Sequence, residues 1–169
     1  MTVRRLGPGD EPVLAMLARE DAAFDLDDRA GPRRPLDGVA ATAYLADPDI
    51  LHWVAEDAGA VVGHLLCLVQ RRRCGDRLEL LLYEIGVRST HRRRGVGRRL
   101  VGAMDGWMAE HAVAEVWVLA DNPGAEAFYR ACGFDRDDPQ PTYMTRRRPP
   151  ASSTRTASGP SSRTRSRPR

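Results

Sequence analysis

The most sustained apolar run in the chain is Leu78 to Val87, LELLLYEIGV, which has the character of a strand buried on both faces. A turn rich in arginine and glycine follows. A helical pattern begins directly after it, with Val96, Leu100, Met104, Trp107 and Met108 on one face. Upstream, Thr2 to Leu6 predicts a short first strand that Gly7-Pro8-Gly9 breaks. Asp10 is placed to cap a helix running to about Phe24, whose Val13, Leu14, Leu17 and Ala18 share a face. Asp25 to Pro35 has turn composition. Asp37 then caps a second helix through Val39, Ala43, Tyr44 and Leu45, which Asp47-Pro48 ends. Ile50 to Glu56 and Val61 to Val69 read as strands joined by Asp57-Ala58-Gly59, a hairpin signal. Arg71 to Arg77 is a polar connection into the central strand. Downstream, Val113 to Ala120 predicts a strand, Gly124 to Cys132 a short helix, and Phe134 with Tyr143 to Arg146 a closing hairpin. This order predicts a mixed α/β domain in which a right-handed crossover joins the central parallel pair.

Composition changes the picture mainly at one end. The 169 residues are one domain's worth, with a formal net charge of +3 and arginine as every basic residue. Pro149 to Arg169 carries five arginines and no acid, so residues 1–148 sum to −2. That tail is almost entirely Ser, Thr, Pro and Arg and has nothing to bury, which predicts disorder. The expected division is a folded domain over 1–148 and a disordered tail over 149–169. The tail reads either as an arm drawn to nucleic acid or a membrane surface, or as an unselected extension. No stretch approaches ~18 consecutive apolar residues, and the N-terminus lacks the apolar core of a secretory signal. A cytoplasmic location without a membrane partner is expected, and nucleic acid is not the expected partner. Cys67, Cys74 and Cys132 are an odd, scattered set that gives neither a disulfide framework nor a metal-ligand spacing, so no metal is expected.

Chemistry enters at the turn after the central strand. Arg92 to Gly97, RRRGVG, leaves unpaired N–H groups at a helix N-terminus, at the positive end of its dipole, where phosphate binds well. Gly95 and Gly97 lack Cβ atoms, so an anion can approach the peptide plane closely. Three consecutive cations there are locally unfavourable without an anion; a solvated helix start is the alternative. Glu84, in strict alternation, shares a face with Leu78, Leu80 and Leu82. An apolar setting favours a carboxylate as a general base, and structural pairing with an arginine is the other reading. Gly86, two residues on, is taken to mark a bulge that opens the sheet.

Two motifs carry a family resemblance. Arg92-x-x-Gly95-x-Gly97, after a strand and opening a helix, resembles the acyl-CoA pyrophosphate loop of the GNAT superfamily of N-acetyltransferases. Asn122-x-x-Ala125-x-x-Phe128-Tyr129-x-x-x-Gly133-Phe134 resembles that superfamily's second signature. The resemblance covers nearly all of residues 1–148. It implies a mixed, mostly antiparallel central sheet with a splayed parallel pair, flanked by helices, and acetyl-CoA as cosubstrate. It places Ile85 and Val87 on the cofactor's arm, with the Val87 N–H on the thioester carbonyl. Arg92, Arg93, Arg94, Gly95, Val96, Gly97 and Arg98 surround the pyrophosphate. Asn122 and Ala125 lie along the arm, although Asn122 can instead simply cap the short helix. Tyr129 takes the place of the tyrosine beside the CoA sulfur and is the general acid, or else a core tyrosine next to Phe128. Glu84 is the base; His91 and His64 are weaker candidates.

The acceptor is read from two further features. RRLGP near the start, YL in the second helix, and LYEIGVRSTHRRRGVGRRL resemble the aminoglycoside 3-N-acetyltransferases of the superfamily. Glu20, Asp21, Asp25, Asp27 and Asp28 crowd the end of the first helix and the loop after it, a field that draws a polycationic aminoglycoside, or else a solvated turn. After Ala120 the sequence Asp121-Asn122-Pro123-Gly124 is closer to the general superfamily form. The expectations are therefore an aminoglycoside 3-N-acetyltransferase, an acetyltransferase for a peptide N-terminus or another small amine, or a non-catalytic acyl-CoA or nucleic-acid binder. Many relatives are dimers, so the resemblance includes a homodimer among the expected states.

Overall fold

Five strands in sequence order make one sheet, β1-β2-β3-β4-β5, in which every neighbouring pair is antiparallel except β4 and β5. The computed structural model describes residues 1–24, 33–73, 77–136 and 144–146. The strands are β1 (Thr2–Arg5), β2 (Ile50–Asp57), β3 (Ala60–Arg71), β4 (Leu78–Val87) and β5 (Glu115–Val118). The β2–β3 hairpin turns at Ala58 and Gly59, both with positive φ, as a tight right-twisting hairpin requires. The mixed sheet with one parallel pair is the arrangement that the sequence implied. Of the predicted closing hairpin, Phe134 and residues 144–146 belong to no strand, and the rest lies outside the described residues.

The helices are α1 (Glu11–Arg19), α2 (Gly38–Ala46), α3 (Val96–Glu110) and α4 (Pro123–Ala131). The first is shorter than its pattern predicts: a separate single 3-10 turn covers Asp21–Ala23. Asp10 does not cap it through its side chain; its carboxylate instead takes the Arg4 guanidinium at 2.9 Å and the Gly7 N–H at 2.9 Å. Asp37 caps α2 as expected, its Oδ1 accepting from Ala40 N at 2.8 Å.

Two cores lie on opposite faces of the sheet. Against α3, Leu51, Leu65, Cys67, Leu80 and Leu82 meet Leu100, Val101 and Met104, all essentially sealed from water. Each such side chain contributes about 1.5–3 kcal/mol by leaving water. Under α1 and α2, a smaller cluster joins Leu6, Leu17, Phe24, Leu45, Val54 and Val61. Gly63 lets the start of α3 settle on the sheet, since a Cβ there would lie 2.9 Å from Val96 Cγ1 and 3.1 Å from the Gly86 carbonyl oxygen. All these elements fall in one unit, Met1–Asp135, and Arg136–Arg169 is a second. The expected boundary at residue 148 lies outside the described residues. Among the described residues no helix is long and apolar enough to cross a membrane.

Candidate active site

The site is built around an irregularity in β4. Leu66 pairs with Glu84 and Cys67 with Leu82, so Tyr83 is an extra residue on β4. The bulge is therefore at Tyr83 and not at Gly86, which pairs with His64 in regular register. Gly86 is small for another reason. A Cβ there would sit 2.7 Å from His64 Nε2 and 2.8 Å from Phe24 Cβ.

One inserted residue reverses the alternation of the strand. Before the bulge, Leu78, Leu80 and Leu82 face the α3 core; after it, Ile85 and Val87 do. Glu84 thus does not share a face with the three leucines, as strict alternation predicts. It lies with Gly86 on the α1/α2 face, where its charge reaches the Tyr44 hydroxyl.

The β4–β5 pairing runs from Glu79↔Glu115 to Leu82↔Val118 and is not continued past the bulge. From there the two strands form a fork. The Arg88 N–H bonds the Val62 carbonyl at 3.0 Å, which makes Gly63↔Val87 a pair without mutual hydrogen bonds. Val87 and, by alternation, Ile85 therefore direct their N–H groups away from β3 and into the fork.

Beyond β4 the chain turns through Ser89–His91 to α3. Arg93 and Gly95 both have positive φ, +62° and +80°, so the turn needs the conformational freedom of glycine at the helix cap. No side chain caps α3, and its first intrahelical bond is Arg99 N–H to the Gly95 carbonyl. The N–H groups of Val96, Gly97 and Arg98 are left pointing out of the helix start, where an anion is stabilised. Arg93, Arg94 and Arg98 are exposed around them. Arg92 is different: its Nε donates to the Val87 carbonyl at 3.0 Å, so it fastens the loop to the strand. The Val96 side chain is buried in the core. Gly97 is required by helix packing, since a Cβ there would meet Phe128 Cε2 at 2.9 Å.

The α4 segment supplies the opposite wall. Asn122 caps it, with Oδ1 accepting from Ala125 N at 2.8 Å and Nδ2 donating to Asp121 at 3.0 Å. The side chain thus caps the helix, as one of its two expected roles requires. Tyr129 is buried on the α3 side between Phe128 and Phe134, with ring centroids at 5.3 and 5.4 Å. Burial, helped by Asp121, Cys67 and Cys132, pushes its hydroxyl up to about 12, so it stays protonated at neutral pH. Tyr129 and Glu84 accordingly stand on opposite faces of the sheet.

The acidic residues at the end of α1 are not a bare negative surface. Glu20 pairs with Arg88 and Asp21 with Arg33 at 2.6 Å, while Asp25, Asp27 and Asp28 lie outside the described residues. Arg88 also donates to the Val61 carbonyl at 2.7 Å and lies 4.7 Å over the Phe24 ring. His91 neighbours Thr90 Oγ1 at 2.9 Å and Asp57 at 3.7 Å, beside the loop. His64 lies beneath α1 and α2, sealed from solvent. Sequence reasoning missed its partner His52, 3.4 Å away on β2. The signal available was that His52 and His64 both fall on inward positions of adjacent strands.

Residues 17–134 match the model of the acetyltransferase (GNAT) family. Rat N-acetyltransferase 8 is 28% identical over 96 residues, 56% of this chain but only 43% of its own length, so the chain spans less than half of that curated relative. Among solved structures, an aminoglycoside acetyltransferase from an uncultured soil metagenomic sample, in complex with sisomicin, superposes with a TM-score of 0.68 at 22% identity, covering 86% of this chain and 96% of that one. A ribosomal-protein-alanine N-acetyltransferase from Brucella melitensis superposes at 0.64 and 17% identity, over 86% and 99%. At these identities the likeness is one of fold. With the family match spanning the strand, the glycine loop and the second motif, the chain belongs to the GNAT acetyltransferase family.

Proposed function

We propose that the protein transfers an acetyl group from acetyl-CoA to an amine, best read as the 3-amino group of an aminoglycoside. The observation that carries the transfer is the fork: β4 and β5 part at Leu82 and Val118, the Ile85 and Val87 N–H groups face the opening, and the uncapped start of α3 lies at the end of β4. Acetyl-CoA, when bound, supplies the thioester whose acyl carbon the amine attacks. The N–H groups of Val96, Gly97 and Arg98 hold the pyrophosphate, with Arg93 and Arg94 around it and Arg92 bracing the loop. Ala125 and Asn122 line the arm, and the Val87 N–H polarises the thioester carbonyl. Glu84 takes the amine's proton from one face of the sheet, and Tyr129 protonates the departing sulfur from the other. The folded domain is read as 1–148, with 149–169 dispensable for this chemistry.

The aminoglycoside reading rests on the resemblance of LYEIGVRSTHRRRGVGRRL. One observation favours a second reading, a peptide N-terminus or other small amine. Two of the five acids expected to attract a polycation, Glu20 and Asp21, are already paired with arginines. The deciding experiment measures CoA release from acetyl-CoA with gentamicin, a polyamine and an alanine-starting peptide. Turnover on gentamicin at its 3-amino group supports the leading reading. Turnover on the others alone transfers the assignment to the second. No turnover on any amine overturns both.

A further inference from the structure

Three polar side chains under α1 and α2 have no part in the roles above, yet they form a continuous chain. Tyr44 Oη, on α2, lies 3.0 Å from His52 Nδ1 on β2, and His52 Nε2 lies 3.4 Å from His64 Nδ1 on β3. The remaining nitrogen, His64 Nε2, is turned against β4 at Gly86, and Phe24 stands edge-on to the ring at 5.2 Å. Both histidines are sealed from water. Burial brings His52 down to about 4 and His64 to about 3, with the charges of His52 and Arg33 adding to the latter. Both are therefore neutral near pH 7, with one N–H each.

A neutral chain of this kind has two polarities. In one, Tyr44 donates to His52 and its oxygen faces outward only as an acceptor. In the other, His64 Nδ1–H donates to His52 Nε2, His52 Nδ1–H donates to the Tyr44 oxygen, and the Tyr44 O–H is left to donate outward. The charges at the two ends select between them. The Glu84 carboxylate acts on the Tyr44 end and attracts a proton there. The Arg33 guanidinium, itself paired with Asp21, acts on the His64 end and repels one. Arg88 lies beyond Phe24 on that same side. Both ends favour the second polarity, with the tyrosine as outward donor beside Glu84.

We propose that Tyr44 is a specificity-determining residue of the acceptor site, its O–H held outward on the Glu84 side by the His52–His64 pair, and that it selects amines carrying a hydrogen-bond-accepting oxygen on or next to the neighbouring carbon. Amino sugars, amino alcohols and peptide N-termini belong to that class; simple alkylamines and polyamines do not. The inference rests on the acetyl-transfer reading and narrows its acceptor.

The test has two independent readouts. Nitrogen-15 NMR of the histidine rings in the full chain should show both His52 and His64 protonated at Nδ1. Acetylation rates are then compared for trans-2-aminocyclohexanol and cyclohexylamine. The wild type should favour the amino alcohol in kcat/KM by about tenfold, the yield of one neutral hydrogen bond. Tyr44→Phe should abolish that preference, read as the ratio of the two kcat/KM values, while leaving the KM for acetyl-CoA unchanged. His52→Phe should abolish it too, and the double variant should be no worse than Tyr44→Phe alone. Equal rates for the two amines in the wild type, a preference that survives Tyr44→Phe, or His52 protonated at Nε2 would overturn this inference alone. A wild type that acetylates no amine at all sinks the acetyl-transfer reading and this inference with it.

Discussion

The two faces of the sheet are built from the same strands and have opposite chemistry. Toward α3 the sheet presents Leu51, Leu65, Leu80 and Leu82, closed over by Leu100 and Met104, and the buried phenol there is Tyr129. Toward α1 and α2 it presents His52, His64 and Glu84 among a smaller set of hydrocarbons. The larger core can position a helix start to a fraction of an ångström, because close-packed hydrocarbon has little room to yield. The smaller core gives up some hydrocarbon burial to hold polar groups in fixed directions. In the proposed function, one face grips a cofactor and the other reads a substrate.

The contrast is broken most severely at Glu84. Glu84→Gln keeps the shape and removes the proton acceptor, so kcat should fall on the order of 10²-fold or more with little change in acetyl-CoA affinity. Full activity at pH 7 in that variant would leave Glu84 a structural residue.

Acid separates the two faces next. The folded-state pKa values of His52 and His64 lie below the ordinary value near 6.5, so the unfolded chain binds the extra protons. Their contribution to stability is intact above about pH 6.5. It is lost as pH falls toward about 4, at roughly 1.4 kcal/mol per pH unit for each histidine. Urea titrations at pH 7, 6 and 5 should show this slope in the wild type and its loss in His52→Gln/His64→Gln. An unchanged slope would place the acid sensitivity elsewhere.

On the α3 face, Tyr129→Phe should lower kcat on the order of tenfold, less than Glu84→Gln, because a thiol with an ordinary pKa of ~8.5 leaves without much help. A large rise in the KM for acetyl-CoA instead would make Tyr129 a binding residue. The smallest effect belongs to Asn122. Asn122→Ala removes the α4 cap and should cost about 1 kcal/mol of stability, whereas Asn122→Asp should retain most of it. If Asn122→Ala alters the KM for acetyl-CoA while Asn122→Asp does not, the residue does more than cap.

Much of this arrangement was legible in the sequence. Leu78–Val87 and the helix from Val96 were readable because their apolar patterns are long, and the turn at Arg92–Gly97 because glycines mark a break between a strand and a helix. Glu84 was identified as a carboxylate at odds with the apolar residues around it, but it was placed on the wrong face. A period of two carries no record of an inserted residue, and the extra position was attributed to Gly86 because glycine often marks a bulge. Here Gly86 is small to admit His64 and Phe24, a tertiary reason that only the packed structure contains. The His52–Tyr44 contact joins positions in separate elements, so no local pattern could announce it. Gly97, likewise, answers to a ring 31 positions further along the chain.

The extra residue at Tyr83 has one more consequence, which concerns length and not composition. Its side chain is 62% exposed, so its identity is nearly free to vary. The number of residues between Leu82 and Glu84 is not. Deleting Tyr83 would leave Leu82 opposite Cys67 and Glu84 opposite Leu66, so both faces would keep their residues, while the strand would lose the bulge at which β4 and β5 part. For anyone redesigning this strand, substitutions at Tyr83 are adjustable settings, whereas the count of residues decides whether the strand runs on unbroken or is interrupted where its two neighbours separate.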